Sequence, residues 1–189
     1  ITYKQLLTDV NSLGTALLNR NFKDERIAVI GKNCYQWAVS YLATVCGVGI
    51  CVPLDKELPA EELKQLVMDA GVSCVLLDKV YEDIFCDIRD EKDTDLELLV
   101  NFESGNEEKD IMSFEHLIEE GQKQLATGDR QFLDAEIDAE KMAVILYTSG
   151  TTGVAKGVML SHANICDNLM GAPTFLHVTE DDIFFSVLP

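Results

Sequence analysis

The chain has 189 residues, of which 47% are hydrophobic and 25% are charged, and its formal net charge at pH 7 is −18. This length and composition predict a globular domain with a sizeable core and exclude a disordered chain. The acidic charge would repel the phosphate backbone of DNA or RNA, and no basic stripe in the sequence offsets it. We therefore do not expect a nucleic-acid partner.

The six cysteines form no C-x-x-C pair, and several lie in apolar runs, where a free thiol behaves as a small hydrophobic side chain. Their even number permits disulfides, but a domain of this size does not need them, and the first residues lack the pattern of a signal peptide. We expect free thiols in a reducing, cytoplasmic setting and assign none of them to catalysis or metal binding.

Helices and strands are predicted to alternate over the first part of the chain. Apolar residues at helical spacing indicate an amphipathic helix over 2–20. The elements predicted after it are a strand over 26–30, a helix near 34–47, a strand over 50–54, a helix over 59–71 and a strand over 73–77. This alternation favours an α/β sheet.

The segment 33–54 carries no charge and is long enough to span a bilayer. Polar residues interrupt its first half, while Gly47 and Gly49 divide it before Pro53. A helix followed by a buried strand explains this pattern better than a membrane span does. We therefore expect no transmembrane segment.

The second half of the chain is predicted to be less regular. Its predicted elements are a short helix near 80–88, a strand over 96–100, an acidic loop, a helix near 113–125, a strand over 141–147, a short strand "VML" (158–160), a helix from a cap at Ser161 through Asn168 and a last strand within 181–189. The loop between 147 and 158 therefore joins strand to strand.

That loop, "YTSGTTGVAKG" (147–157), is rich in glycine and hydroxyl side chains and has one cation, Lys156. It is not a Walker A loop, because Ala155 precedes the lysine, Gly157 follows it, and no helix begins directly after it. Glycines allow successive N–H groups to face one concavity, and the hydroxyls and the ammonium add donors for anionic oxygens. A phosphate-binding loop explains this composition, and a solvated polar turn is the alternative.

The order "YTSGTTGVAKGVMLSHANI" (147–165) resembles the phosphate-loop signature of the adenylate-forming superfamily, which includes acyl-coenzyme A synthetases, luciferases and the adenylation domains of peptide synthetases. The family usually has proline where this chain has Ala155. The segment from Gly31 to Leu63 and the final "FFSVLP" (184–189) are similar to other family segments, and the latter leans towards long-chain acyl-coenzyme A synthetases. The resemblance implies an α/β fold with a mixed sheet flanked by helices.

The resemblance implies a two-step ligase reaction that uses ATP, Mg²⁺ and coenzyme A. The carboxylate of a carboxylic acid, which the resemblance implies is a fatty acid, attacks the α-phosphorus of ATP, and the thiol of coenzyme A then displaces AMP. The residues that would wrap the polyphosphate are Thr148, Ser149, Gly150, Thr151, Thr152 and Gly153. Lys156 would steady the departing pyrophosphate as the catalytic residue, and Thr148 is also the candidate magnesium ligand.

The family's adenine, ribose and C-terminal catalytic residues normally lie farther along the chain than residue 189. We therefore expect residues 1–189 to be the N-terminal portion of an AMP-binding domain, inactive when isolated. Two alternatives remain: an adenylation domain that loads an amino or aryl acid onto a carrier protein, and a nucleotide-binding module without catalysis. His162 is expected in the first turn of a helix, and Trp37 and Tyr41 in the core, rather than in the site.

Overall fold

A computed structural model of the chain describes residues 1–148, 155–177, 179 and 181–183. The strands are β1 (Arg26–Ile30), β2 (Ile50–Pro53), β3 (Cys74–Leu77), β4 (Leu98–Asn101), β5 (Ile111–Ser113), β6 (Met142–Thr148) and β7 (Lys156–Ser161). The α-helices are α1 (Tyr3–Asn19), α2 (Tyr35–Ala43), α3 (Ala60–Ala70), α4 (Glu82–Arg89), α5 (Phe114–Ala126) and α6 (His162–Gly171).

The strands form one seven-stranded sheet in the order β5-β4-β3-β1-β2-β6-β7. Among the described strands, β1 to β6 run parallel to one another, and β7 runs antiparallel to β6. The chain moves from β1 to β2 on one side, and then crosses to β3 on the other side of β1. The predicted mixed α/β sheet is confirmed.

Helices cover both faces of the sheet. The apolar sides of α1, α2 and α5 pack on one face, and those of α3 and α4 pack on the other. Because both faces are covered, strands such as β1 and β3 are continuous apolar runs that are almost wholly buried. Within the first layer, α1 and α5 approach so closely that a Cβ at Gly121 would collide with the carbonyl oxygen of Ser12.

Local sequence signals explain where several helices begin and end. The hydroxyl of Thr2 accepts a hydrogen bond from the N–H of Gln5 and caps α1. Helix α3 follows Pro59 and ends at Ala70, before Gly71, whose positive φ of 61° is the left-handed conformation that glycine adopts readily.

The segment 33–54 is a helix and a strand, as predicted. Helix α2 ends at Ala43 rather than near residue 47, and a wider turn over Thr44–Val48 follows, because Gly47 takes a φ of 152° that ends regular helix geometry. Trp37 and Tyr41 stack with their ring centroids 5.7 Å apart; they are partly buried and pack against the core, whereas the sequence predicted them within it. None of the described helices is long and apolar enough to cross a membrane.

Two predictions for the second half need correction or remain open. The sequence did not predict β5, a three-residue strand that pairs with β4. The strand predicted within 181–189 falls mostly outside the described residues, and the described positions 181–183 are not strand. Helix α6 begins after Ser161 as predicted, and it continues beyond Asn168 to Gly171.

Candidate functional site

The glycine and threonine loop is held at its base by the antiparallel pair β6 and β7. Thr148 at the end of β6 lies directly opposite Lys156 at the start of β7. Residues opposite each other in such a pair have their side chains on the same face of the sheet, about 4.5–5.5 Å apart at Cβ. The side chains of Thr148 and Lys156 therefore project from the same face of the sheet next to each other, and both residues are exposed.

This base lies at the carboxyl edge of the parallel strands. Strand β6 runs parallel to β2, so Thr148 ends β6 at the edge where β1 to β5 also end. Ligands of open α/β sheets bind outside the carboxyl ends of the strands. The loop therefore starts from the edge of the sheet at which this architecture usually holds a ligand.

Two of the site residues expected from the sequence, Thr148 and Lys156, are brought together by the fold. The other five, Ser149, Gly150, Thr151, Thr152 and Gly153, lie outside the described residues. Their role as phosphate ligands stays a prediction.

The ammonium group of Lys156 has no ion pair or hydrogen bond with any residue that the structure describes. Several other lysines are engaged: Lys64 with Glu91 at 2.6 Å, and Lys109 with Asp83 at 2.6 Å. An ammonium group without a carboxylate partner is free to contact an anionic ligand without first breaking an ion pair. This environment suits the expected contact with phosphate oxygens.

A contact that sequence reasoning missed holds the base of the loop. The hydroxyl of Tyr147, next to Thr148, donates a hydrogen bond of 2.6 Å to Oδ2 of Asp69 in α3. Burial, and then the nearby carboxylate, raise the pKa of Tyr147, so its phenol remains a donor at neutral pH. The two residues are 78 positions apart, and no local pattern signals their contact.

His162 lies at the opposite end of the hairpin from the loop. Its N–H donates to the carbonyl oxygen of Lys141, just before β6 begins, and β6 is about 20 Å long at roughly 3.3 Å per residue. Ser161 and Asn164 form a reciprocal capping box at this helix start. The position expected for His162, in the first turn of a helix, is confirmed, and it lies away from Lys156.

The same distant end of the sheet borders a cavity of about 570 Å³. Its lining mixes acids with bases, including Asp24, Asp138, Lys23 and Lys141. Lys141 is turned towards Asp24, with 3.5 Å between Nζ and Oδ1. This cavity lies at the amino ends of β2 and β6 and is separate from the loop.

No group of three or more His, Cys, Asp or Glu side chains that could hold a metal ion occurs among the described residues. Magnesium binds through one or two carboxylates together with substrate phosphates and waters. The exposed hydroxyl of Thr148 fits the role of one neutral ligand in such a set. The described residues supply no carboxylate cluster to complete it.

All six cysteines are free thiols.

Comparisons with known proteins give a family, curated relatives and structural neighbours for this chain. The family model described as AMP-binding enzyme matches residues 1–189. A long-chain-fatty-acid–CoA ligase 5 from Rattus norvegicus is 30% identical over 203 residues, covering 100% of this chain and 29% of the relative. A chloroplastic long-chain-fatty-acid–[acyl-carrier-protein] ligase from Arabidopsis thaliana is 28% identical, covering 100% of this chain and 28% of the relative.

Among solved structures, one described as a long-chain-fatty-acid CoA ligase from Rhodopseudomonas palustris superposes with a TM-score of 0.85. It is 21% identical and covers 100% of this chain and 45% of the neighbour, and this similarity concerns the fold. The chain spans only 29% of the length of the first curated relative. Because the family model matches the whole chain, the chain belongs to the AMP-binding enzyme family.

Proposed function

We propose that this chain is part of an ATP-dependent acid–thiol ligase that activates a carboxylic acid, of the fatty-acid class, as an acyl-adenylate and then forms its coenzyme A thioester. The observation that carries the proposal is the pair Thr148 and Lys156, exposed side by side at the carboxyl edge of the sheet. Family membership and the fatty-acid ligases among the relatives support it.

In this proposal the loop from Thr148 to Lys156 binds the β- and γ-phosphates of ATP. The carboxylate oxygen of the acid attacks the α-phosphorus, and the bond from that phosphorus to the bridging oxygen of pyrophosphate breaks. Negative charge grows on the departing pyrophosphate, and the ammonium of Lys156 neutralises part of it. Catalysis of this kind depends on positioning and on charge stabilisation rather than on covalent chemistry by the protein.

In this proposal, one ligand of a magnesium site comes from the described residues. Thr148 would offer its hydroxyl to the ion, which when bound neutralises phosphate charge. The remaining ligands would come from the phosphates, from water and from other parts of the protein. The proposal assigns no described residue to the nucleotide of coenzyme A.

We also propose that residues 1–189 are the N-terminal portion of the AMP-binding domain of a longer protein. The coverage of the relatives, 29% in the first case, supports this division. The six free thiols favour a reducing compartment such as the cytoplasm.

Pyrophosphate exchange into ATP by the full-length protein, measured with a panel of carboxylic acids, tests the function. We expect exchange that depends on the acid and is greatest with long-chain fatty acids. Lys156→Ala removes a charged contact of about 1.5–3 kcal/mol, so it should slow exchange by roughly 10- to 100-fold.

Lys141→Ala is the matched control, because it deletes an exposed lysine at the other end of β6. This variant should exchange at the wild-type rate. Equal rates for Lys156→Ala and the wild type would remove the assigned role of the lysine. ATP binding without exchange, for every acid tested, would favour a nucleotide-binding module.

A second candidate keeps the adenylation step but transfers the acyl group to a carrier-protein thiol. The relative from Arabidopsis thaliana, whose name includes an acyl-carrier-protein acceptor, favours this possibility. Offering the adenylate coenzyme A or a phosphopantetheinylated carrier protein separates the two. Thioester formation only on the carrier would replace the first candidate with the second.

A further inference from the structure

The base of the loop is attached sideways to helix α3 through one side chain. Tyr147 is half-buried against the apolar cluster under α3, and its hydroxyl reaches Oδ2 of Asp69 at 2.6 Å. Among the described hydrogen bonds of the β6 and β7 pair, it is the one that joins a side chain of the loop's base to a helix.

The opposite strand leaves room for this attachment. Gly157 is the partner of Tyr147 in the antiparallel pair. A Cβ at this glycine would lie 3.4 Å from Cε1 of Tyr147 and 3.0 Å from Cγ2 of Ile145. A Cβ at Gly157 would therefore press on Ile145, whereas it would only just touch the ring of Tyr147, so the glycine lets these two side chains pack closely on the face that α3 covers.

The alternation of a strand connects this contact to the site. Successive side chains of a strand point to opposite faces, so Tyr147 on the α3 face requires Thr148 on the other face. Lys156 lies opposite Thr148 and shares its face. Fixing the tyrosine therefore fixes the direction in which the hydroxyl and the ammonium leave the sheet.

We propose that Tyr147 and Asp69 form a positioning pair that fixes Thr148 and Lys156, the described base of the loop, relative to the sheet and so sets the affinity for the polyphosphate of ATP. This inference rests on the proposed function. Neither residue touches substrate in this account, since both act through Thr148 and Lys156. Burial and the neighbouring carboxylate, which raise the pKa of Tyr147, keep the phenol protonated and able to donate.

The molecule provides a matched control for the loss of this hydroxyl. Tyr35 in α2 donates a hydrogen bond of 2.7 Å to Oδ2 of Asp9 in α1. The chemistry is the same, a phenol donating to a carboxylate between two elements, but the contact joins two helices and not the hairpin. Tyr35→Phe therefore has the same chemical change as Tyr147→Phe without the link to the loop.

Steady-state pyrophosphate exchange by the full-length protein is the first test. We expect Tyr147→Phe to raise KM for ATP by several-fold to about tenfold, with a smaller change in kcat and in KM for the acid, because misplaced binding groups weaken the contact with the phosphates. Asp69→Ala should raise KM for ATP by a similar factor. Asp69→Asn keeps an acceptor oxygen for the tyrosine hydroxyl, so its KM for ATP should stay close to that of the wild type. The double variant Tyr147→Phe with Asp69→Ala should have a KM for ATP no higher than that of either single variant, because both substitutions remove the same hydrogen bond.

Amide hydrogen exchange is the second test, and it needs no turnover. In Tyr147→Phe, the amides of the pair Thr148 and Lys156 should exchange faster than in the wild type, and in Tyr35→Phe they should not. Wild-type protein without pyrophosphate exchange would refute the proposed function, while this measurement would still decide the attachment. An unchanged KM for ATP in an active Tyr147→Phe enzyme, unchanged amide exchange, or equal changes in Tyr35→Phe would each overturn the inference.

Discussion

The parallel part of the sheet and the hairpin of β6 and β7 differ in how they use their side chains. Strand β3 is buried at every position, whereas the first four residues of β7 are all exposed. The parallel strands gain their stability from apolar contact on both faces. The hairpin instead presents Thr148 and Lys156 to solvent and is joined to α3 by Tyr147. Stability and the proposed chemistry are therefore largely carried by different regions.

The largest expected effect tests where the stability lies. Leu76→Ala in β3 truncates a fully buried side chain and should lower the free energy of unfolding by about 2–5 kcal/mol. Met159→Ala in β7, where the side chain is 69% exposed, should change it by less than about 0.5 kcal/mol. Urea unfolding curves of the two variants provide the comparison. A large loss at Met159 would show that another part of the protein covers the hairpin face.

Substitution of two glycines by alanine should change the free energy of unfolding in opposite directions. Gly121→Ala should lower the free energy of unfolding by about 1–3 kcal/mol, because the new methyl collides with the backbone of Ser12 where α1 and α5 meet. Gly171→Ala at the end of α6 meets no atom within 4 Å and has helical backbone angles. It should raise stability by up to about 1 kcal/mol. The midpoint of thermal unfolding should fall for Gly121→Ala and rise for Gly171→Ala. An unchanged midpoint for Gly121→Ala would show that α1 and α5 separate easily.

The smallest expected effect concerns alkaline pH. Burial, with help from the carboxylate of Asp9, raises the pKa of Tyr35 from an ordinary value of 10.0 to about 12. A folded-state pKa above the unfolded one means that the stabilisation is fully present below about pH 10 and is lost as the pH rises to about 12. The free energy of unfolding of Tyr35→Phe should therefore fall less steeply over that interval, and ultraviolet titration of tyrosinate would locate the group. Parallel slopes for variant and wild type would contradict this account.

Most of the regular elements were predictable, because their apolar residues repeat at helical spacing or form short continuous runs. The strand β5 was not, since three residues carry too little pattern and its formation depends on pairing with β4. The strand order is equally absent from local sequence. It depends on which helices pack together on each face of the sheet, and these contacts join residues that are far apart along the chain.

The site was predictable in part. The composition of the loop indicated anion binding, and the structure brings two of the expected residues, Thr148 and Lys156, together. The remaining five expected residues are still predictions. The contact between Tyr147 and Asp69 was beyond sequence reasoning, because a hydrogen bond across 78 positions exists only after α3 and β6 have been placed in the same fold.

The order of the strands along the chain also determines when the hairpin can join the sheet during synthesis. All parallel pairs among β1 to β5 involve residues no later than Ser113, whereas β6 joins the sheet through the pairing of Val144 with Cys51. A chain that emerges from the ribosome with its N-terminus first can therefore assemble five strands before β6 is available. The strand that leads into the loop is then added to a surface that already exists, at the open edge of β2.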